Sequence, residues 1–173
     1  MKIHLIFSLL ILSCFFTFAN AQISTLAPEC RKILNKKFPG WKYGEIRPDI
    51  SEYFKSIGSN KRLNSVKGDW NGDGSLDYAV LIEHGKLKNY LGEVIGNRRL
   101  LIPFIRTSKG FRHFVFYGAE YITAIKKGSK DYNYETDKNF HYKTDAIFDG
   151  FFEKAGVSYV WNKTKFKVIV TSD

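Results

Sequence analysis

Apolar residues recur at helical spacing near the start of the chain. Over residues 28–38 they lie three or four positions apart, which predicts an amphipathic helix with Pro28 in its first turn. The pair Pro39-Gly40 ends that helix, because proline cannot continue it. A second, shorter helix, capped by Asp49 or Ser51, is predicted to end before residues 58–60.

From residue 64 onward the pattern is typical of strands. The apolar run 78–82 predicts a central strand, and Pro103, which lacks an amide hydrogen, places the strand predicted over 99–106 at a sheet edge or a bulge. Large apolar and polar side chains alternate on both sides of residues 162–164, which predicts a C-terminal hairpin packed on one face. Further strands are predicted over residues 65–68, 111–117 and 120–125, and a long surface loop over 128–142.

These elements predict the α+β class. We expect a mostly antiparallel sheet, covered by one or two N-terminal helices, in a single soluble domain over residues 22–173. The length of this segment is enough to bury a core without disulfides.

Residues 1–21 have the pattern of a signal peptide. A positive start at Lys2 precedes an apolar run, and Ala19-Asn20-Ala21 is an A-x-A cleavage signature. The protein is therefore predicted to be exported, to the periplasm or beyond, with no transmembrane segment in the mature chain. An alternative is a lipoprotein anchored at Cys14, since residues 12–14 loosely resemble a lipobox.

The composition limits the choice of partners. The chain has 27 Lys and Arg against 17 Asp and Glu, a formal net charge of +10, but its basic residues are scattered in pairs. Without a basic run, a nucleic-acid partner is not expected, whereas an anionic envelope polymer or another protein fits. Cleavage would leave Cys30 as the one cysteine, which we expect to be buried in a monomer.

Residues 69–77 carry the clearest chemistry. They read Asp-Trp-Asn-Gly-Asp-Gly-Ser-Leu-Asp, with oxygen-bearing side chains at loop positions one, three, five and nine, a backbone carbonyl available at position seven, and glycine at the turning position six. This pattern predicts a calcium site of structural role. An EF-hand is excluded, because position twelve is Val80, within a predicted strand, where an EF-hand needs a bidentate Glu.

The stretch 68–80 resembles the calcium loop of FG-GAP and VCBS repeats, in which the ion ties a loop between two strands. The resemblance implies five ligands, the Ser through its backbone carbonyl: Asp69, Asn71, Asp73, Ser75 and Asp77. It covers this loop alone, and the chain is too short for a propeller of such repeats. A looser resemblance, to small exported bacterial proteins with a Phe-Pro-Gly-Trp helix end and a Tyr-x-Trp-Asn hairpin, implies no activity.

Catalytic motifs are not evident in the sequence. The histidines of the mature chain lack metal-ligand spacing, and Asp145, Asp149 and Glu153 are the carboxylates that a hydrolase would have to use. We therefore predict a non-enzymatic, calcium-stabilised binding or accessory domain. The alternatives are a periplasmic inhibitor or immunity protein that blocks a secreted enzyme and, third, a hydrolase. Aromatic residues at 132–142 are candidates for a partner surface or for cover of a sheet edge.

Overall fold

The structure is a computed structural model that describes residues 26–172, except the side chain of Ser172. The predicted signal peptide, its cleavage site and Cys14 lie outside the described residues. Two short helices and twelve strands follow in chain order: α1 (Pro28–Lys37), β1 (Lys42–Tyr43), α2 (Pro48–Ser56), β2 (Ser65–Gly68), β3 (Asp77–Lys88), β4 (Val94–Thr107), β5 (Gly110–His113), β6 (Phe116–Tyr117), β7 (Tyr121–Ile125), β8 (Lys130–Asn133), β9 (Lys138–His141), β10 (Ala146–Gly150), β11 (Gly156–Asn162) and β12 (Lys165–Ser172).

The strands form three antiparallel sheets. The first has the order β1-β3-β4-β5, with β2 also pairing β3 and β6 also pairing β4. The second has the order β12-β11-β10-β7, and β8 and β9 form a separate hairpin. The prediction of a mostly antiparallel α+β protein is confirmed, and residues 26–172 form neither a closed barrel nor a propeller.

The main core lies between the first two sheets. Leu81 and Leu101 from the first sheet, with Trp70 from the loop between β2 and β3, pack with Ile147 and Tyr159 from the second. A second core lies on the other face of the first sheet, where α1 packs its buried residues. The order of layers is therefore helix, six-stranded sheet, four-stranded sheet.

The helix α1 matches its prediction closely. Cys30 and Leu34 are fully buried against the sheet, as the helical spacing requires. The free thiol of Cys30 lies in this core, and burial raises its pKa to about 12. Neither described helix is long and apolar enough to cross a membrane.

The predicted cap of α2 is wrong. Arg47 precedes the helix with extended backbone and gives no side-chain cap, and Pro48 occupies the first turn. Asp49 instead lies inside the helix and pairs with Arg47 at 2.5 Å. Proline at the first helical position needs no amide partner, which removes part of the need for a capping side chain.

Pro103 lies in an inner strand, contrary to the expectation of an edge. It pairs with Ala79 of β3 on one side of β4, and its carbonyl accepts the amide hydrogen of Phe114 on the other side. That second side is where the short partners β6 and β5 leave a gap between them. The missing amide hydrogen is tolerated because no strand partner requires it there.

Residues 130–141 form the β8–β9 hairpin, so the prediction of a surface loop there is wrong. Tyr134 donates its backbone N–H to Val170 of β12, and the buried Tyr142 hydroxyl lies 2.7 Å from the Ser158 hydroxyl. The pairing of β11 with β12 confirms the C-terminal hairpin. The segment 130–142 contacts it at the edge of β12 and at the Ser158 side chain.

Candidate functional site

The acidic loop, residues 69–77, joins β2 to β3 in a tight hairpin. The strands pair up to Gly68 and Asp77, so the loop begins and ends at the last rung of the ladder. Trp70, at the second position, is fully buried in the main core, so its side chain attaches the loop to that core. Gly72 and Gly74 have φ of +78° and +82°, a conformation that glycine adopts without strain.

The carboxylate of Asp69 organises the loop backbone. Its Oδ1 accepts the amide hydrogens of Gly72 at 2.8 Å and Asp73 at 3.1 Å, and its Oδ2 accepts that of Gly74 at 2.9 Å. The backbone therefore wraps around this side chain.

The side chains of Asn71 and Asp73 meet over the same turn. Asn71 donates from Nδ2 to Oδ2 of Asp73 at 2.8 Å, and Asp73 accepts the amide hydrogen of Ser75 on its other oxygen at 2.7 Å. These hydrogen bonds lower the pKa of Asp73. The hydrogen bond from Asn71 has the largest effect. Asp73 is therefore ionised at neutral pH and exposed at the loop surface.

Asp77 occupies a different environment from the other predicted ligands. It is fully buried, and its two oxygens accept the amide hydrogens of Trp70 at 2.9 Å and Arg106 at 2.7 Å. Burial raises its pKa to about 6, against the lowering effect of these amides. Asp77 thus ties the end of the loop to β4, a role that the spacing alone did not predict. A carboxylate offers about four acceptor positions, so these bonds leave some of them free.

Asp145 fastens the loop to the second sheet, and sequence reasoning missed this role. Its Oδ2 accepts the amide hydrogen of Asp69 at 3.2 Å, and its own amide hydrogen is donated to the Asp69 carbonyl at 3.2 Å. Lys126 also pairs with it at 2.8 Å. The pKa of Asp145 is lowered by this lysine and by backbone amides, although burial opposes them. A separation of 76 positions along the chain gives no local signal for such a contact.

The donor atoms of the loop are of the kind that a hard cation binds. Carboxylate, amide and carbonyl oxygens are the donors that calcium prefers, and the loop supplies them from alternate positions. Within residues 26–172, no three His, Cys, Asp or Glu side chains converge as a metal-binding group. This finding includes the three acids of the predicted set, Asp69, Asp73 and Asp77. The oxygens of Asp77 accept hydrogen bonds from the amides of Trp70 and Arg106 instead.

A cleft of about 710 Å³ opens beside the loop, between the two sheets. Its basic lining residues are Lys61, Arg62, Lys67 and Lys126. Val66, Leu76 and Ala124 give it an apolar wall. Its volume is within the range of ligand-binding pockets.

The three carboxylates considered for hydrolysis have separate environments. Asp145 pairs with Lys126, Asp149 is buried and accepts the amide hydrogen of Ala119 at 2.9 Å, and Glu153 is exposed. Each carboxylate therefore has its own surroundings, and the fold does not pair them as acid and base.

The comparisons with known proteins found no match to this chain among family models, curated proteins or solved structures. The resemblance of the loop to FG-GAP and VCBS repeats therefore stays a prediction.

Proposed function

We propose that this chain is an exported, non-enzymatic binding domain, stabilised by one calcium ion in the loop 69–77, whose partner is an anionic envelope polymer. The observation that carries the proposal is the loop itself. The side chains of Asp69, Asn71 and Asp73 lie over one turn. The loop is attached to both sheets through Asp77 and Asp145.

The ion would be held by Asp69, Asn71, Asp73, the carbonyl of Ser75 and Asp77. When bound it supplies positive charge between carboxylates that otherwise repel one another. Because the loop contacts β4 and the start of β10, a more rigid loop would stabilise the contact between the sheets as well. The role proposed for calcium is therefore structural.

The adjoining cleft supports an anionic partner. Lys61, Arg62 and Lys67 have no acidic partner among the described residues, while Lys126 already pairs with Asp145. Unpaired basic side chains would bind the negative groups of such a polymer, and the apolar wall would contact its uncharged parts. Bound calcium would add further positive charge next to the cleft.

Thermal unfolding tests the ion. Calcium should raise the melting temperature of the protein and a chelator should reverse the rise, since a ligand at 100 times its Kd stabilises by about 2.7 kcal/mol. Asp73→Ala should abolish the shift, whereas Glu135→Ala, which removes an exposed acid outside the loop, should keep it. An equal response in the two variants would refute the site.

Gly74→Val gives a second test of the loop. No atom lies within 4 Å of a Cβ added at Gly74, so the substitution strains only the backbone, whose φ is +82°. We expect lower stability both with and without calcium, because a β-branched residue resists this angle. Unchanged stability would mean that the loop adopts another conformation.

Binding to dextran sulfate, with neutral dextran as the blank, tests the cleft. Lys61→Glu/Arg62→Glu should weaken binding more than Lys163→Glu/Lys165→Glu, which makes the same charge change at the turn between β11 and β12. Binding should also fall with salt, as the Debye length shortens from about 10 Å at 0.1 M to about 3 Å at 1 M. Equal losses in the two double variants would refute the cleft as the binding site.

A further inference from the structure

The ends of β3 and β4 extend as a two-stranded ribbon, the hairpin arm, residues 86–97. In the arm, Lys86 pairs with Asn97, and Lys88 pairs with Val94 across a bulge. β1 and β2 pair with β3 only up to Glu83, and β5 and β6 pair with β4 only from Leu100 onward. The arm therefore has two free edges, and no other strand of residues 26–172 pairs with it.

The arm exposes large apolar side chains. Tyr90 is 94% exposed and Leu91 67% at its tip, and Val94 and Ile95 are 56% and 60% exposed in the strand that leaves it. Leu87 is exposed as well. Scattered exposed apolar residues are ordinary, but five within one ribbon mark an interaction surface.

The tip is held in one conformation by Asn89. Its side-chain Oδ1 accepts the amide hydrogens of Leu91 at 3.0 Å and Glu93 at 2.9 Å, and its carbonyl accepts that of Gly92 at 3.0 Å. The amide hydrogen of Asn89 goes to the Glu93 carbonyl at 2.9 Å. With these amides satisfied inside the turn, the tip can enter an apolar medium without leaving them unpaired. Its order also lowers the entropy lost on binding.

Basic side chains surround the apolar tip on the side of the protein body. Lys86 and Lys88 lie on the arm, and Arg98 follows it. At the base, a cleft of about 650 Å³ is lined by Lys37 and Arg98 together with the exposed ring of Tyr117. Positive charge behind an apolar tip is complementary to anionic headgroups above acyl chains.

Two acids face this region, and both have partners. Glu83, at the base, accepts a hydrogen bond from Asn97 at 2.9 Å and pairs with Arg99 at 3.6 Å. Glu93, beside the tip, accepts a hydrogen bond from Asn89 Nδ2 at 2.7 Å. Glu93 is therefore held against the turn, and the charge balance of the arm and its base stays positive.

We propose that the hairpin arm inserts its tip into the surface of an anionic lipid bilayer. Tyrosine and leucine suit the interface between headgroups and acyl chains, and the lysines reach back to the headgroups. The arm is separate from the proposed calcium site, because β3 begins at the acidic loop and ends in the arm. At about 3.3 Å per residue, the 12 residues of β3 separate the two features by roughly 35 Å.

Flotation with lipid vesicles tests the insertion. The protein should float with vesicles of phosphatidylcholine containing 30% phosphatidylglycerol at 0.1 M salt, and much less with phosphatidylcholine alone. Lys86→Glu/Lys88→Glu should lower the partition coefficient at least tenfold, since each basic residue near an anionic surface contributes about fivefold. No flotation of the unchanged protein with anionic vesicles would overturn the proposal.

The tip is tested by Tyr90→Ser/Leu91→Ser, which should also lower the partition coefficient at least tenfold. The matched control is Ile57→Ser/Phe151→Ser, which removes two exposed apolar side chains outside the arm and should leave partitioning unchanged. Equal losses in the two double variants would overturn the role of the tip. Asp73 lies in the loop before β3, at the end away from the arm. The effect of Asp73→Ala on calcium binding is therefore measured separately from vesicle binding.

Insertion is measured directly with an environment-sensitive dye on Tyr90→Cys, using the chain from residue 22. Cys30 is fully buried, so the dye reacts at the new position. Anionic vesicles should shift the dye emission to the blue, and the same dye on Lys165→Cys should show no shift. A dye at position 90 that stays in water while the protein floats would overturn insertion, as would an equal shift at position 165.

Discussion

Asp149 should make the stability of this protein fall as the pH rises towards neutrality. Its side chain is 3% exposed in β10, where Oδ1 accepts the amide hydrogen of Ala119 at 2.9 Å. Burial raises the pKa of this carboxyl from its ordinary 3.8 to about 7, although the Ala119 amide and the charge of Arg99 lower it. The folded protein therefore holds a proton that the unfolded chain releases.

The sign and size of the effect follow from proton linkage. Below about pH 4 both states are protonated, and the carboxyl does not favour unfolding. Between about pH 4 and 7 only the folded state keeps the proton, so stability falls by about 1.4 kcal/mol per pH unit. Because the pKa of Asp149 is raised from 3.8 to about 7, the total loss in the free energy of unfolding is about 4 kcal/mol. Above pH 7 both states are ionised, and the loss is complete.

The variant Asp149→Asn isolates this effect, because asparagine stays neutral and its Oδ1 can still accept the Ala119 amide hydrogen. Urea unfolding is measured from pH 4.5 to 8. Across this range the free energy of unfolding of the variant, relative to that of the unchanged protein, should rise by several kcal/mol. Glu153→Gln, at an exposed position, should show no such trend. A difference between Asp149→Asn and the unchanged protein that stays constant with pH would refute the buried, protonated carboxyl.

Two substitutions and one labelling experiment test the packing elsewhere in the protein. Gly68→Ala should destabilise by about 1–3 kcal/mol in urea, because an added Cβ would lie 2.4 Å from the buried ring of Trp70, and an unchanged midpoint would contradict this packing. Tyr142→Phe should cost about 1–3 kcal/mol, since the Ser158 hydroxyl at 2.7 Å loses a buried partner, whereas a neutral result would place that hydroxyl in water. Cys30 should resist a thiol reagent in the folded protein and react after unfolding, because it is fully buried and its pKa is about 12, so rapid labelling of the native state would contradict the position of α1.

Local patterns were sufficient for elements whose cause is local. The helix α1 follows from apolar spacing and a first-turn proline, and the C-terminal hairpin follows from alternation on both sides of a short turn. The positive φ at Gly74 follows from the loop motif, where the chain must turn sharply. In each case the residues that determine the conformation lie within a few positions of one another.

The hairpin arm was not predicted, although its residues are contiguous. The run between His84 and Arg98 mixes apolar, charged and glycine residues without clear alternation, so it gives no strong strand signal. It becomes a ribbon because the central parts of β3 and β4 are paired and carry the ladder outward. The hydrogen bonds between β3 and β4 therefore determine the extended conformation of this segment, which its own strand propensity does not.

The sequence by itself determined the α+β class, the oxygen-rich loop and the turn at its glycines, because those depend on residue types and short spacings. Only the tertiary structure decided that Asp77 turns inward to the amides of Trp70 and Arg106, and that Asp145 fastens the loop from another sheet. The same spacing of acids along a loop sequence is compatible with a carboxylate that faces solvent and with one that faces the interior. Which direction it takes depends on the strands that pack behind it, and their arrangement is set by contacts across the whole chain.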